Sequence, residues 1–139
     1  MILYLDSSAL VELIIGSRDT SALIEAVAEA DEVLTAVVTL PECACALERA
    51  RRGGHLGAAA QEAALGELRR AWADLTLSAV SGSVAQQAAT IGTKHGLRGY
   101  DAVHLAVAVA AQAVGAVSLA SYDKELLEAA RREGLATVT

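Results

Sequence analysis

At 139 residues and 54% apolar content, the chain is long enough for one hydrophobic core and too short for a second, so a single domain over 1–139 is expected. Aromatic residues make up only 3%, with no Phe and a lone Trp72, which leaves Ala, Leu, Val and Ile to build that core. A net charge of −6 excludes a protein that holds nucleic acid by bulk electrostatics, but not one that binds phosphate through a few local arginines such as Arg49, Arg51 and Arg52.

The stretch MILYLDSSALVEL opens with an apolar strand, Ile2 to Leu5, that delivers Asp6 to a turn before Ser7 and Ser8 begin a helix. So apolar and uninterrupted a strand fits the centre of a parallel sheet buried on both faces. Helices over 8–15, ended by Gly16, and 19–30 follow, then a strand over 33–38. Thr39 starts the next helix with Pro41 in its first turn, and Glu42, three residues after Thr39, completes a capping-box pattern. That helix stops at Gly53-Gly54.

A long Ala/Glu/Arg helix covers 57–74 and a strand 75–80; Ser81-Gly82-Ser83 caps a helix over 84–95, ended by Gly96. Arg98-Gly99-Tyr100-Asp101 then leads into an apolar helix over 102–114, and a strand follows at 116–120. Ser121 is the expected cap of an amphipathic helix over 123–133, and 135–138 suits an edge strand. Strands alternating with helices predict a three-layer α/β/α domain with a central, mainly parallel sheet of four or five strands.

Cys43 and Cys45 lie two apart in a helix, point to different sides and read as small buried apolar residues rather than a disulfide or a zinc site. No secretion signal precedes Asp6, and the apolar run 102–117 contains His104 and Gln112 and is too short to span a bilayer. A cytoplasmic protein without membrane contact is expected.

In a right-handed parallel sheet, helix N-termini gather at the carboxyl edge of the strands, where ligands bind. Asp6 follows the first strand, Glu42 opens the helix after the second, and Asp101 and Asp123 open the helices on either side of the fourth. First-turn acids are also favoured by the helix dipole, and the capping box accounts for Glu42 equally well. Asp6 and Asp101, set against apolar surroundings, are harder to explain that way. If the four converge, their mutual repulsion calls for a cation, and oxygen-only ligands select a hard ion, Mg²⁺ or Mn²⁺.

The segments LDSSAL, TLPE, RGYDAVHLA and SYDKEL, in this order and spacing, resemble the four acidic motifs of the PIN domain, most closely those of the VapC toxins of bacterial type II toxin–antitoxin pairs. The match covers essentially the whole chain, with RGYDAVHLA its most specific piece. The resemblance implies a metal-dependent endoribonuclease that hydrolyses RNA phosphodiester bonds by in-line attack of water and, as a toxin, inhibits translation. Asp6, Glu42, Asp101 and Asp123 match the family's acids. Asp6 and Asp101 are expected as metal ligands, Glu42 and Asp123 as ligands through water or as the group positioning water. Ser8 matches a small polar residue after the first aspartate, and Ser121 takes a hydroxyl position where the family more often has Thr. The resemblance also implies a homodimer and a VapB-type antitoxin, with DNA engaged only indirectly through that antitoxin. The Ala-rich helices between Gly16 and Asp74 offer faces for the twofold interface.

His104, one turn after Asp101, fits a contact to a site acid and a hydrogen-bonded core residue equally. His55 and His95 read as surface residues. Two other functions compete. A haloacid dehalogenase-like phosphatase needs a second Asp where Ser8 stands, and a noncatalytic PIN-like module that binds RNA or protein would be signalled by missing acids, all four of which are present. No dinucleotide or Walker-type glycine loop occurs.

Overall fold

The computed structural model describes residues 1–138; Thr139, the last residue of the expected domain, lies outside the described residues. The chain runs β1 (Ile2–Leu5), α1 (Ser7–Ile15), α2 (Ser21–Glu29), β2 (Glu32–Ala36), α3 (Thr39–Arg52), α4 (Ala58–Asp74), β3 (Thr76–Ser78), α5 (Gly82–His95), α6 (Gly99–Ala111), β4 (Val117–Ala120), α7 (Lys124–Arg132) and β5 (Ala136–Val138). The five strands form one sheet in the order β3-β2-β1-β4-β5, every neighbouring pair parallel. The apolar strand β1 is central, as its composition requires.

Alternation along β1 divides the core. Ile2 and Tyr4 point to one face, where Leu34, Leu119 and the α5, α6 and α7 residues Ile91, Leu105 and Leu126 pack; Leu3 and Leu5 point to the other, against Leu10, Leu23, Leu47 and Leu68. The result is the α/β/α sandwich that alternating strands and helices predict. Small residues let helices approach closely: a Cβ added to Gly92 of α5 would lie 2.8 Å from the Ala102 Cβ of α6.

Several local expectations are corrected. The second strand ends at Ala36 rather than 38, because Val38 already has helical backbone angles and enters α3. The third covers only Thr76–Ser78 instead of 75–80. The helix expected over 102–114 begins at Gly99 and ends at Ala111, with Arg98 extended before it and Val114 exposed beyond it. The capping box does not form: Thr39 lies inside the helix, and its buried hydroxyl is 2.7 Å from that of Thr35, which donates to the Leu5 carbonyl at 2.6 Å. Asp123, not Ser121, caps α7, accepting from the backbone N–H groups of Glu125 and Leu126. Cys43 is buried as expected but Cys45 is exposed. The His95 side chain is only 5% exposed, with Nε2 2.6 Å from Glu133.

Candidate active site

The strand order reverses between β1 and β4, so a crevice opens at their carboxyl ends, the place where open α/β sheets bind ligands. Leu5 pairs with Ala120 in register, which sets Asp6 and Ser121 side by side as the two strands finish. The Ser121 hydroxyl donates to Asp6 Oδ2 at 2.5 Å, the Ser8 hydroxyl donates to Oδ1 at 2.8 Å, and the Ala9 N–H caps α1 onto Oδ1 at 2.8 Å. Those donors stabilise the anion, yet burial outweighs them and holds the Asp6 carboxyl above its ordinary range. Ser8 and Ser121 are thereby the hydroxyls that fix Asp6. They also receive the Tyr122 and Asp123 N–H groups, at 2.8 and 2.9 Å, which joins the end of β1 to the turn before α7.

Glu42 is turned from its helix end into the same crevice. Its Oε1 lies 2.7 Å from His104 Nε2, and its Oε2 is 3.4 Å from the Ser7 hydroxyl. Behind it, His104 Nδ1 is 2.8 Å from the hydroxyl of Tyr4, both residues almost wholly buried. An ionised carboxylate only accepts, so Nε2 carries a proton toward Glu42. On a singly protonated ring Nδ1 then accepts from Tyr4. His104 is thus both a satisfied core residue and a contact to a site acid.

Asp101 and Asp123 share one guanidinium: Arg98 Nε lies 3.2 Å from Asp101 and Nη2 3.3 Å from Asp123. Partial burial, followed by the charge of Asp123, pushes the Asp101 carboxyl upward, and the arginine only partly offsets this. All four acids, with Ser7, Ser8, Arg49 and Arg98, line one cavity of about 600 Å³. The convergence expected from topology is therefore observed. The apolar groove of about 540 Å³ between α5 and α6 is lined by no titratable group.

The donor chemistry of the acid cavity fits a hard divalent cation. It offers carboxylate and hydroxyl oxygens, and the nearby Cys43 thiol is pushed up to about 12 by burial and then by the charges of Glu42 and Asp6, which keeps it protonated. Among the described residues, no three acidic, histidine or cysteine side chains are gathered closely enough to enclose an ion as they stand. Arg98 lies against two of the four acids, Asp101 and Asp123.

This crevice and sheet are those of a known family. A model of the PIN domain matches residues 3–132, and the chain belongs to that family. It is similar to the Ribonuclease VapC45 of Mycobacterium tuberculosis (strain CDC 1551 / Oshkosh), with 34% identity over 140 residues, 96% of this chain and 92% of the relative. Among solved structures it resembles PAE2754 from Pyrobaculum aerophilum, with a TM-score of 0.73 at 21% identity over 99% of this chain and 90% of that one. It also resembles VapBC2 from Rickettsia felis bound to a DNA fragment from the promoter, with a TM-score of 0.68 at 15% identity over 99% and 98% of the two chains. The VapC likeness of the motifs agrees with these matches. No helix among the described residues is long and apolar enough to cross a membrane.

Proposed function

We propose that this chain is a metal-dependent endoribonuclease and the toxin of a VapBC-type pair, held in check by a VapB-type antitoxin. The observation that carries the reading is the convergence of Asp6, Glu42, Asp101 and Asp123, from four separate segments, on one cavity in a chain of VapC likeness. A noncatalytic PIN-like module would have no need to keep four carboxylates in the wall of one cavity, and the place of a phosphatase's second aspartate is taken by Ser8, which braces Asp6.

Asp6 and Asp101 would hold an Mg²⁺ or Mn²⁺ ion, with Glu42 and Asp123 completing the set directly or through water. Such an ion lowers the pKa of water and neutralises charge that develops on a phosphodiester. The chain's own residues supply the geometry. Ser8, Ser121 and the Ala9 N–H lock the Asp6 rotamer. His104, backed by Tyr4, takes Glu42 Oε1 at 2.7 Å, while Oε2 has only the long 3.4 Å contact from the Ser7 hydroxyl and is the oxygen that would orient a water or accept its proton. Arg98 offers the cavity a guanidinium that can leave the carboxylates for a phosphate oxygen.

The test is incubation of the purified chain with a mixed RNA pool and Mg²⁺ or Mn²⁺, beside a sample in EDTA. Discrete fragments that form only with metal are expected. Fragments that also form in EDTA, or RNA left intact in every condition, would overturn the reading.

A further inference from the structure

A second cavity of about 410 Å³ shares Ser7, Ser8, Arg49 and Asp123 with the acid cavity, so the two lie side by side. Beyond the shared residues its wall adds Arg18 and the Tyr122 ring, with buried Glu12 and the apolar Val11 and Ala46.

Arg49, Arg18 and Tyr122 are each placed for a reason. Arg49 follows Glu42 by seven residues, two turns of α3, so both face the acid cavity with Arg49 roughly 10 Å further along the helix axis. Its neighbours Arg51 and Arg52 are paired with Glu48, whereas Arg49 makes no ion pair among the described residues. Arg18 lies over the Tyr122 ring with its guanidinium carbon 4.9 Å from the centroid. Buried Glu12 holds it there, with Oε1 3.4 Å from Arg18 Nε and its oxygens taken by the Ser17 N–H and hydroxyl at 3.0 and 2.8 Å. The Tyr122 hydroxyl donates to the Asp19 carbonyl at 3.1 Å, which fixes the ring from its far end.

We propose that this second cavity is a nucleotide subsite: it takes the single-stranded residue next to the cleaved bond, with Arg49 paired to its phosphate and its base stacked on Arg18 backed by Tyr122. The proposal rests on the ribonuclease reading. A guanidinium plane and an aromatic ring stack on any base, and a free arginine is a bidentate phosphate donor. In a chain of net charge −6, attraction for RNA must come from such local cations, and three of the eleven Lys and Arg residues, Arg18, Arg49 and Arg98, line these two adjoining cavities.

Cleavage of a short fluorescein-labelled single-stranded RNA of mixed sequence, measured for the full chain with Mn²⁺ and across a salt series, tests it. Arg49→Gln raises KM with kcat retained, and lowers the slope of log affinity against log salt by roughly 0.7, the share of one phosphate on a single strand. Tyr122→Leu, which removes the ring that holds the Arg18 plane, raises KM by up to roughly fivefold, the low end for one stacked base, and leaves the slope unchanged. Arg70→Gln, whose partner is the exposed Glu67 on α4, is the control that changes neither. Cleavage by wild type with KM and slope unaltered in both variants, or a fall in kcat at constant KM, overturns the subsite and leaves the nuclease standing. Absence of cleavage by wild type overturns the nuclease reading and the subsite with it.

Discussion

Glu42 Oε1 and His104 Nε2 lie 2.7 Å apart across 62 residues of sequence, and the Tyr4 hydroxyl completes the line from the floor of the sheet to the edge of the crevice. The carboxylate is held unevenly, with one oxygen on the imidazole at 2.7 Å and the other on the Ser7 hydroxyl at 3.4 Å. The chain of contacts makes His104 a positioning residue, and it ties the chemistry of the site to the packing of β1 against α6.

Replacing His104 with Ala should lower cleavage roughly 10- to 100-fold while the fold persists, the usual cost of losing a partner that orients a site carboxylate. His104→Gln, which can still donate from its amide, should recover part of that loss. Rates measured beside circular dichroism check this; equal rates in wild type and His104→Ala would remove the residue from the mechanism. Tyr4→Phe leaves Nδ1 without a donor in a buried place and should cost about 1–3 kcal/mol in denaturant unfolding.

Arg98 satisfies Asp101 and Asp123 with a side chain that is 81% exposed. Because it competes with a cation for the same charges, Arg98→Ala should bind Mn²⁺ more tightly, by up to roughly fivefold, the upper range for an exposed ion pair. Calorimetric titration of the metal into both proteins reads this directly. Weaker binding in the variant would show that Arg98 supports the metal-binding arrangement rather than competing with it.

Asp6 and Asp101 have carboxyls raised above the ordinary 3.8, each chiefly by burial. The folded chain therefore binds more protons than the unfolded one between 3.8 and the raised values, so these two groups lower stability as pH rises through that window. In metal-free protein, wild type should lose stability relative to Asp6→Asn as pH rises through the raised value. Thermal unfolding across a pH series checks the sign. Metal affinity should fall over the same window, because the ligands must be ionised to bind.

Gly92→Ala tests the packing that aims Asp101. Alanine improves helix propensity by about 1 kcal/mol, but the new methyl meets the Ala102 Cβ at 2.8 Å, and overpacking of this kind costs about 1–3 kcal/mol. A net loss of stability is expected, with reduced cleavage, since Ala102 adjoins Asp101 on α6. Unfolding and rate measurements on the one variant decide it; a stabilised, fully active protein would contradict the tight contact.

The parallel sheet, the central place of β1 and the gathering of four acids were readable because each follows from periodicity and from the handedness of β-α-β connections. What failed were local rules overridden by distant partners. Thr39 and Glu42 have capping-box spacing, but the Thr39 hydroxyl is claimed by Thr35 and Glu42 by His104. Ser121 has the right chemistry to cap α7, yet the register of β4 on β1 gives its hydroxyl to Asp6. The buried Glu12 with Ser17 and Arg18, and the close approach at Gly92, passed unnoticed; spacing along one helix does not reveal what faces it from another.

The most direct test of the acid cavity as the catalytic centre is the single-turnover rate of RNA cleavage by Asp101→Asn beside wild type, both shown to be folded and both saturated with Mn²⁺. Substitution of the carboxylate by its isosteric amide should abolish cleavage while leaving the unfolding transition in place. Cleavage by Asp101→Asn at the wild-type rate would contradict the account and place the chemistry elsewhere on the chain.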